Sequence, residues 1–489
     1  KSLKNFILLS KKKNFDDLIN IDGIGETQVN SIKNFFKNDT NLKVLNELDK
    51  ILVIKDVIIR WILESKDLKN IGFITILIGV ICIYFGTNEE YWYETLWMII
   101  TFSLGIVLII RGLLTLFFLE AIKKFISFYS KHYFKISIPI SLTMLYLSFF
   151  IVITDYVGPQ KDIEICKSDD IVNLICGFKN PEDIVVTPDN EYMFISEMGG
   201  VGPYVEIEPG YFALLHMKNN SKIVPNISIE ENIWGESQCK RTLKDKYGPH
   251  GIDLVQRDDG KFQIGVISHY PKESVEMFEL KKVNNSWELF WRGCINVPEE
   301  YYFNDISLKS DGSFYATHMY KRGITMNEWL VTSILKKNSG YLVEWNKSNF
   351  NVVPKTEGSG PNGIALDQKN NLIYISYNQG DKLTAFDLSN NEEMYSTFIE
   401  APDNPYIKDN SIWITSLNMQ PNDAGDCAEK IACSLPFSIY ELEKSSLKTL
   451  DTYSFSKTVF GLPTVAVPFN DKIYLGSFHS DRIGVLEKN

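Results

Sequence analysis

Histidine is scarce in this chain, with six in 489 residues, so His250 and His269, 19 residues apart, carry information. Positive charge is not in excess either. Fifty Lys and Arg stand against 61 Asp and Glu, a net charge of −11, and that gives no global basic field to favour nucleic acid. Cysteine is sparse, seven in all, and the spacings fit no zinc-ligand pattern. Cys82 lies in an apolar run; Cys166, Cys176, Cys239, Cys294, Cys427 and Cys433 are an even number outside it. Cys427 and Cys433 lie close together in a loop-like stretch and can bridge in an oxidising compartment, with buried free thiols as the alternative. No cleavable signal-peptide pattern is present, because the apolar runs are internal. The chain opens on Lys1, as a fragment or a processed product would.

What is present divides the chain in three. Residues 1–65 are polar with a helical pattern, residues 66–155 hold three apolar runs, and residues 160–489 are strand-rich with frequent turn signals. The runs, 71–86, 96–119 and 136–154, are each near the roughly 17–25 residues that cross a bilayer. Lys66 and Lys69 precede the first run, and an acidic, aromatic loop from Asn88 to Glu94 follows it. Lys123, Lys124, Lys131 and Lys135 follow the second. The positive-inside rule then places the N-terminus in the cytoplasm, and three crossings place the strand-rich region outside. A lipid bilayer is thus an expected partner.

The strand-rich region repeats one device. The pairs Glu182-Asp183, His250-Gly251, Asn304-Asp305, Asn362-Gly363, Asp403-Asn404 and Pro463-Thr464 each stand ahead of a short apolar run. A turn and a second strand come next, as in Pro188-Asp189-Asn190 before Tyr192–Ser196. Six such units predict an all-β six-bladed propeller. Polar groups at the start of every innermost strand would then converge on one axis, where hard oxygen ligands suit Ca²⁺.

Two resemblances add to this. Residues 15–45, with Gly23-Ile24-Gly25 between two helical patterns and Gly25-Glu26 through Phe36, resemble the last helix-hairpin-helix of bacterial NAD-dependent DNA ligases. Such glycines let backbone N–H groups approach a phosphate. One hairpin engages few phosphates and binds DNA weakly at best, so residues 1–65 read as a gene-fusion remnant and DNA is not an expected partner.

The second covers residues from about 166 to the C-terminus. Gly248–Ile252, Ile267-Ser268-His269, Ser274–Phe278, Phe303–Ile306, Gly360–Ile364 and Asp403-Asn404 follow one another as in the paraoxonases, within the SMP-30/gluconolactonase-like propellers. The resemblance implies two calcium ions, one catalytic and one structural. The catalytic ion would be held by Glu182, Asn304, Asn362, Asp403 and Asn404. The structural ion would use Asp183, Asp305 and the carbonyl of Ile252. His250 and His269 correspond to a proton-relay dyad, with His250 as general base on water. The family's closing disulfide has no counterpart here, because Arg482–Leu486 contains no cysteine. Closure must then rest on strand pairing, or Cys166 and Cys176 pair elsewhere. The loop Met319–Lys337 is expected to wall the substrate pocket.

The implied function is a membrane-anchored, calcium-dependent hydrolase of small lactones or aryl esters, a carboxylic-ester hydrolase. The alternative is a non-catalytic, calcium-stabilised propeller that binds partners outside the membrane. Propellers host many functions, so fold alone does not choose between them; the paired histidines favour the enzyme.

Overall fold

The computed structural model describes residues 25–44, 68–87, 96–153, 161–200, 206–418, 423 and 427–488. The chain forms two compact units, Lys1–Phe150 and Ile151–Asn489.

In the first unit, helix α1 (Glu26–Lys37) starts at Gly25, whose N–H donates to Gln28 Oε1 at 2.9 Å. Glu26 in its first turn and Lys37 in its last both oppose the helix dipole. Val29 and Phe36 are buried against Ile32 and Leu42. The other half of the expected hairpin, including Gly23 and Ile24, lies outside the described residues, as does the acidic loop from Asn88 to Glu94.

Helices α2 (Leu68–Gly86) and α3 (Leu96–Phe117) pack antiparallel through glycine. Gly72, Gly79 and Gly86 recur every seven residues and so stay nearly on one face. Gly79 meets Gly105, and Gly72 meets Gly112. A Cβ on Gly79 would lie 2.8 Å from the Gly105 carbonyl oxygen, and one on Gly105 would lie 2.8 Å from that of Gly79. The backbones therefore touch, as small residues permit between helices in lipid. Phe73, Leu77, Val80 and Ile81 point outward, exposed.

The three expected spans reduce to two. Among the described residues, only the helix Leu68–Gly86 and the stretch Trp97–Phe117 are long and apolar enough to cross a membrane. The expected third run does form helix α5 (Tyr133–Ile153), after the amphipathic α4 (Leu119–Lys131). In α5, Lys135, Ser137, Pro139, Ser141 and Thr143 interrupt the apolar residues.

The second unit is a six-bladed propeller. Blade 1 runs Pro181–Val186, Tyr192–Glu197, Tyr211–His216 and Ser221–Ile223. Blades 3, 4 and 5 are likewise four-stranded antiparallel sheets, with inner strands Phe303–Leu308, Pro361–Asp367 and Tyr406–Lys408. Blade 2, with inner strand Pro249–Gln256, adds a fifth strand, Ile227–Ile229, parallel to Ser286–Asn296. Blade 6 is closed by strand pairing. Asn173–Cys176 pairs antiparallel with Arg482–Glu487, so the propeller's first strand completes its last blade.

The core is six apolar layers, one between each pair of neighbouring blades. Successive strand residues point to opposite faces. On Tyr192–Glu197, Phe194 therefore packs toward Phe278 of blade 2, and Met193 and Ile195 pack toward Val465 and Tyr474 of blade 6. On Leu372–Tyr377, Ile373 and Ile375 face blade 3 and Tyr374 faces blade 5. Disulfides join Cys166 to Cys176, Cys239 to Cys294 and Cys427 to Cys433.

Three aspartates clip the inner strands of blades 1 to 4 together. Each accepts the N–H of its own next residue and one from the following blade. Asp183 takes Ile184 and Ile252, both at 2.8 Å. Asp253 takes Leu254 at 2.8 Å and Leu308 at 2.7 Å. Asp305 takes Ile306 and Ile364, both at 2.7 Å. Removing an acceptor from a buried N–H costs about 1–3 kcal/mol. Asp253→Ala is accordingly expected to lower the propeller's unfolding free energy by at least about 1–3 kcal/mol, read as a lower denaturant midpoint. An unchanged midpoint would show that the clip does not hold the blades.

Candidate functional site

The recurring pairs sit at breaks in the ladder between the first and second strands. Register shifts fall between Pro181 and Asp183, Pro249 and Ile252, Phe303 and Ile306, Pro361 and Ile364, and Pro463 and Ala466. A bulge re-aims side chains locally, and here it places two consecutive residues on the axis. The first residues of the pairs, Glu182, His250, Asn304, Asn362 and Asp403, are all buried.

The second residues alternate between large and small, because the axis has no room for six. Asp183, Asp305 and Asn404 fill it, and Gly251 and Gly363 make the space. A Cβ on Gly251 would lie 2.6 Å from Asp305 Cα, and one on Gly363 would collide with Asn404 Cα.

Four buried oxygens here have no hydrogen-bond partner: Glu182 Oε2, Asn304 Oδ1, Asn362 Oδ1 and Asn404 Oδ1. Glu182 Oε1 accepts from Asn404 Nδ2 at 3.0 Å. Burial holds the Glu182 carboxyl well above the usual carboxylate range, and the charges of Asp183, Asp403 and Asp305 push it the same way. Burial also raises Asp403, helped by Asp183. Unpartnered oxygens beside carboxylates that ionise reluctantly fit a hard, oxygen-seeking cation.

Below this layer, Asp183, Ile252, Asp253 and Asp305 line a cavity of about 230 Å³. Burial raises Asp183 to about 7 and Asp253 to about 6, and it raises Asp305 well above its ordinary value. Backbone N–H donors oppose the rise in all three. The residues expected at two separate centres thus form two adjoining layers. Sequence reading missed Asp253, whose signal is an acid directly after Ile252 on an inner strand.

The two histidines meet. His250 Nδ1 lies 2.9 Å from His269 Nε2, and His250 Nε2 lies 3.8 Å from Glu182 Oε1. Burial, and secondarily His269, lower the His250 pKa well below its ordinary value, so its ring is neutral. His269 comes from the loop between the second and third strands of blade 2. Its Nδ1 lies 2.8 Å from Glu273 Oε2, a second contact absent from the sequence reading.

On the rim, Tyr302 stacks on His269 with ring centroids 4.7 Å apart. Met198, Met319 and Tyr320 complete an apolar cluster around Tyr302. The loop expected to wall a pocket contributes Met319 and Tyr320 and carries helix α6 (Met326–Ile334), whose Thr325 N-cap forms a capping box with Glu328. Cys427, Cys433 and His479 also cluster, but both sulfurs are in a disulfide and offer no thiolate.

Residues 254–427 match the sequence-family model described as SMP-30/Gluconolactonase/LRE-like region. That SMP-30/gluconolactonase-like region runs from the inner strand of blade 2 into blade 5. Solved structures with similar chains include a luciferin-regenerating enzyme, 11% identical, covering 65% of this chain and 95% of that one, with a TM-score of 0.39. A periplasmic gluconolactonase of Pseudomonas aeruginosa is 11% identical, covering 63% and 82%, with a TM-score of 0.36. A different part of the chain is 63% identical over 73 residues to a DNA ligase of Pelagibacter ubique. That match covers 15% of this chain and a tenth (10%) of the ligase.

The raised carboxyls set a pH dependence for the cation-free protein. Asp183 keeps its proton up to about 7 when folded and only to about 4 when unfolded. The folded state therefore binds more protons across that window, and stability falls as pH rises through it. Melting temperature in chelator is expected to drop between about pH 4 and pH 7, and added Ca²⁺ to reverse the drop. A flat profile that calcium leaves unmoved would rule out a cation-bearing tunnel.

Proposed function

We propose that the propeller is a calcium-dependent hydrolase of small lactones or aryl esters, similar in activity to the paraoxonases. The observation that carries this reading is the set of unpartnered oxygens on Glu182, Asn304, Asn362 and Asn404 beside the His250–His269 pair. The SMP-30/gluconolactonase-like match agrees with a lactone substrate.

Glu182, Asn304, Asn362, Asp403 and Asn404 would hold the catalytic calcium, and Asp183, Asp305 and the Ile252 carbonyl the structural one. When bound, the catalytic ion would supply a Lewis acid for the substrate carbonyl. His250 is neutral, and its Nε2 faces Glu182 from the tunnel wall. It takes a proton from water as the water oxygen bonds to the carbonyl carbon. The proton then passes to the departing alkoxide or phenolate as the ester C–O bond breaks.

The helix pair α2–α3 would anchor the protein in a bilayer. Three disulfides favour an oxidising compartment for the propeller. Two crossings return a chain to its starting side. With two crossings, an exported propeller puts the chain ahead of α2 on the outer side as well. Resistance of the propeller's cysteines to a thiol reagent in intact membranes, until a reductant is added, is the expected result. Immediate labelling would place the propeller in a reducing compartment.

The reading is tested with a panel of lactones and aryl esters, using the full chain in detergent. Hydrolysis is expected with Ca²⁺ and not with chelator. His250→Gln is expected to lower kcat by about 10²–10⁴-fold. A chelator-sensitive fold that turns over none of the panel would make the propeller a calcium-stabilised binding module.

A further inference from the structure

We propose that Glu273 is a positioning residue that fixes the tautomers of both histidines, so that His250 presents a bare Nε2 to the tunnel. Its catalytic meaning rests on the hydrolase reading above; the tautomers themselves do not.

The chain of contacts has a direction. A carboxylate only accepts hydrogen bonds. Glu273 Oε2, 2.8 Å from His269 Nδ1, therefore requires the proton on that nitrogen. With His269 as a neutral imidazole, which carries one N–H, its Nε2 is left an acceptor. Its partner at 2.9 Å, His250 Nδ1, must then donate. His250 is thereby left with no proton on Nε2, the nitrogen 3.8 Å from Glu182 Oε1. For neutral rings each assignment follows from the one before it, and the first is set by Glu273.

Without that carboxylate the pair can run either way. In the reverse arrangement His269 Nε2–H donates to His250 Nδ1, and the His250 proton sits on Nε2. The tunnel then meets an N–H, which cannot accept a proton from water. The two arrangements have the same ring positions, so packing does not choose between them. Packing does hold the rings still. Tyr302 lies nearly parallel to His269 at 15°, and Tyr320 stacks on Tyr302 with centroids 5.3 Å apart.

Glu273 is held as well. Its carbonyl accepts from Val297 N–H at 3.3 Å, and its side chain is buried at the wall of a cavity of about 310 Å³ beside Tyr302 and Arg322. The loop His269–Glu273 is five residues long, so one short turn carries both the histidine and the group that orients it.

The test is Glu273→Gln. An amide of the same shape can offer either an oxygen or an N–H, and so supports both arrangements. The full chain, labelled with ¹⁵N-histidine, is read by NMR at the ring nitrogens, with His250 and His269 assigned by substitution. Wild type is expected to show protonated Nδ1 and bare Nε2 on both rings. Glu273→Gln is expected to show a mixed or reversed pair. Its kcat is expected to be reduced at least tenfold with KM little changed. Identical tautomers in the two proteins would overturn the proposal. So would a wild-type His269 protonated on Nε2, a result that does not require the variant to fold. If wild type turns over no ester or lactone, the hydrolase reading fails by itself, and the tautomer spectra still decide the role of Glu273.

Discussion

Burying several carboxylates around one axis is unfavourable, and the rest of the propeller is arranged around that cost. An ionised carboxylate away from water needs pairing or hydrogen bonds. Asp183, Asp253 and Asp305 obtain theirs from backbone N–H groups of the adjoining blade, which ties the blades together at the same time. Glu182 and Asp403 lie in the layer above, where four amide and carboxylate oxygens are left without partners. In the lower layer each of the three aspartates accepts two backbone N–H groups. In the upper layer Glu182 Oε2, Asn304 Oδ1, Asn362 Oδ1 and Asn404 Oδ1 accept no hydrogen bond, and that difference separates the two layers.

The bulges explain how one device serves both layers. An unbroken strand would alternate its side chains between neighbouring blades. A register shift at the entry to five of the inner strands lets consecutive residues reach the axis, as Glu182 and Asp183 do. The glycines at 251 and 363 are the necessary complement, because a ring of six second residues would overfill the space. The same geometry seats His250, a neutral imidazole, beside Glu182.

Helix pairing in the N-terminal unit follows a different rule. There the contact is backbone against backbone through Gly79 and Gly105, and the apolar side chains point outward. Apolar burial between two helices contributes little when the surroundings are also apolar, so close approach takes its place.

Much was legible from residue order. The six polar pairs, the turns after them and the alternation of strands such as Lys382–Asp387 reflect period-two geometry and local turn chemistry, which neighbouring residues determine. The inner-strand origin of Glu182, Asn304 and Asn362 was legible for the same reason, as was the place of Asp403 just ahead of Tyr406–Lys408. Cys427 and Cys433, six residues apart, could be read as a candidate bridge. Cys239 and Cys294 could not, because 55 residues and most of a blade separate them. The third apolar run, 136–154, was read as a span from its length, and it forms a helix with Ser137, Pro139 and Ser141 among its apolar residues. Asp253 looked like any polar strand residue until the next blade brought the Leu308 N–H to it. Glu273 stood four residues from His269 with nothing to mark it, since a loop's path decides whether such a pair meets. The sequence by itself determined the repeat, the blade count and the residue types on the axis, because these depend on local periodicity. Only the tertiary structure decided which oxygens remain unpartnered and which nitrogen of His250 faces them, because both depend on contacts between segments far apart in the chain.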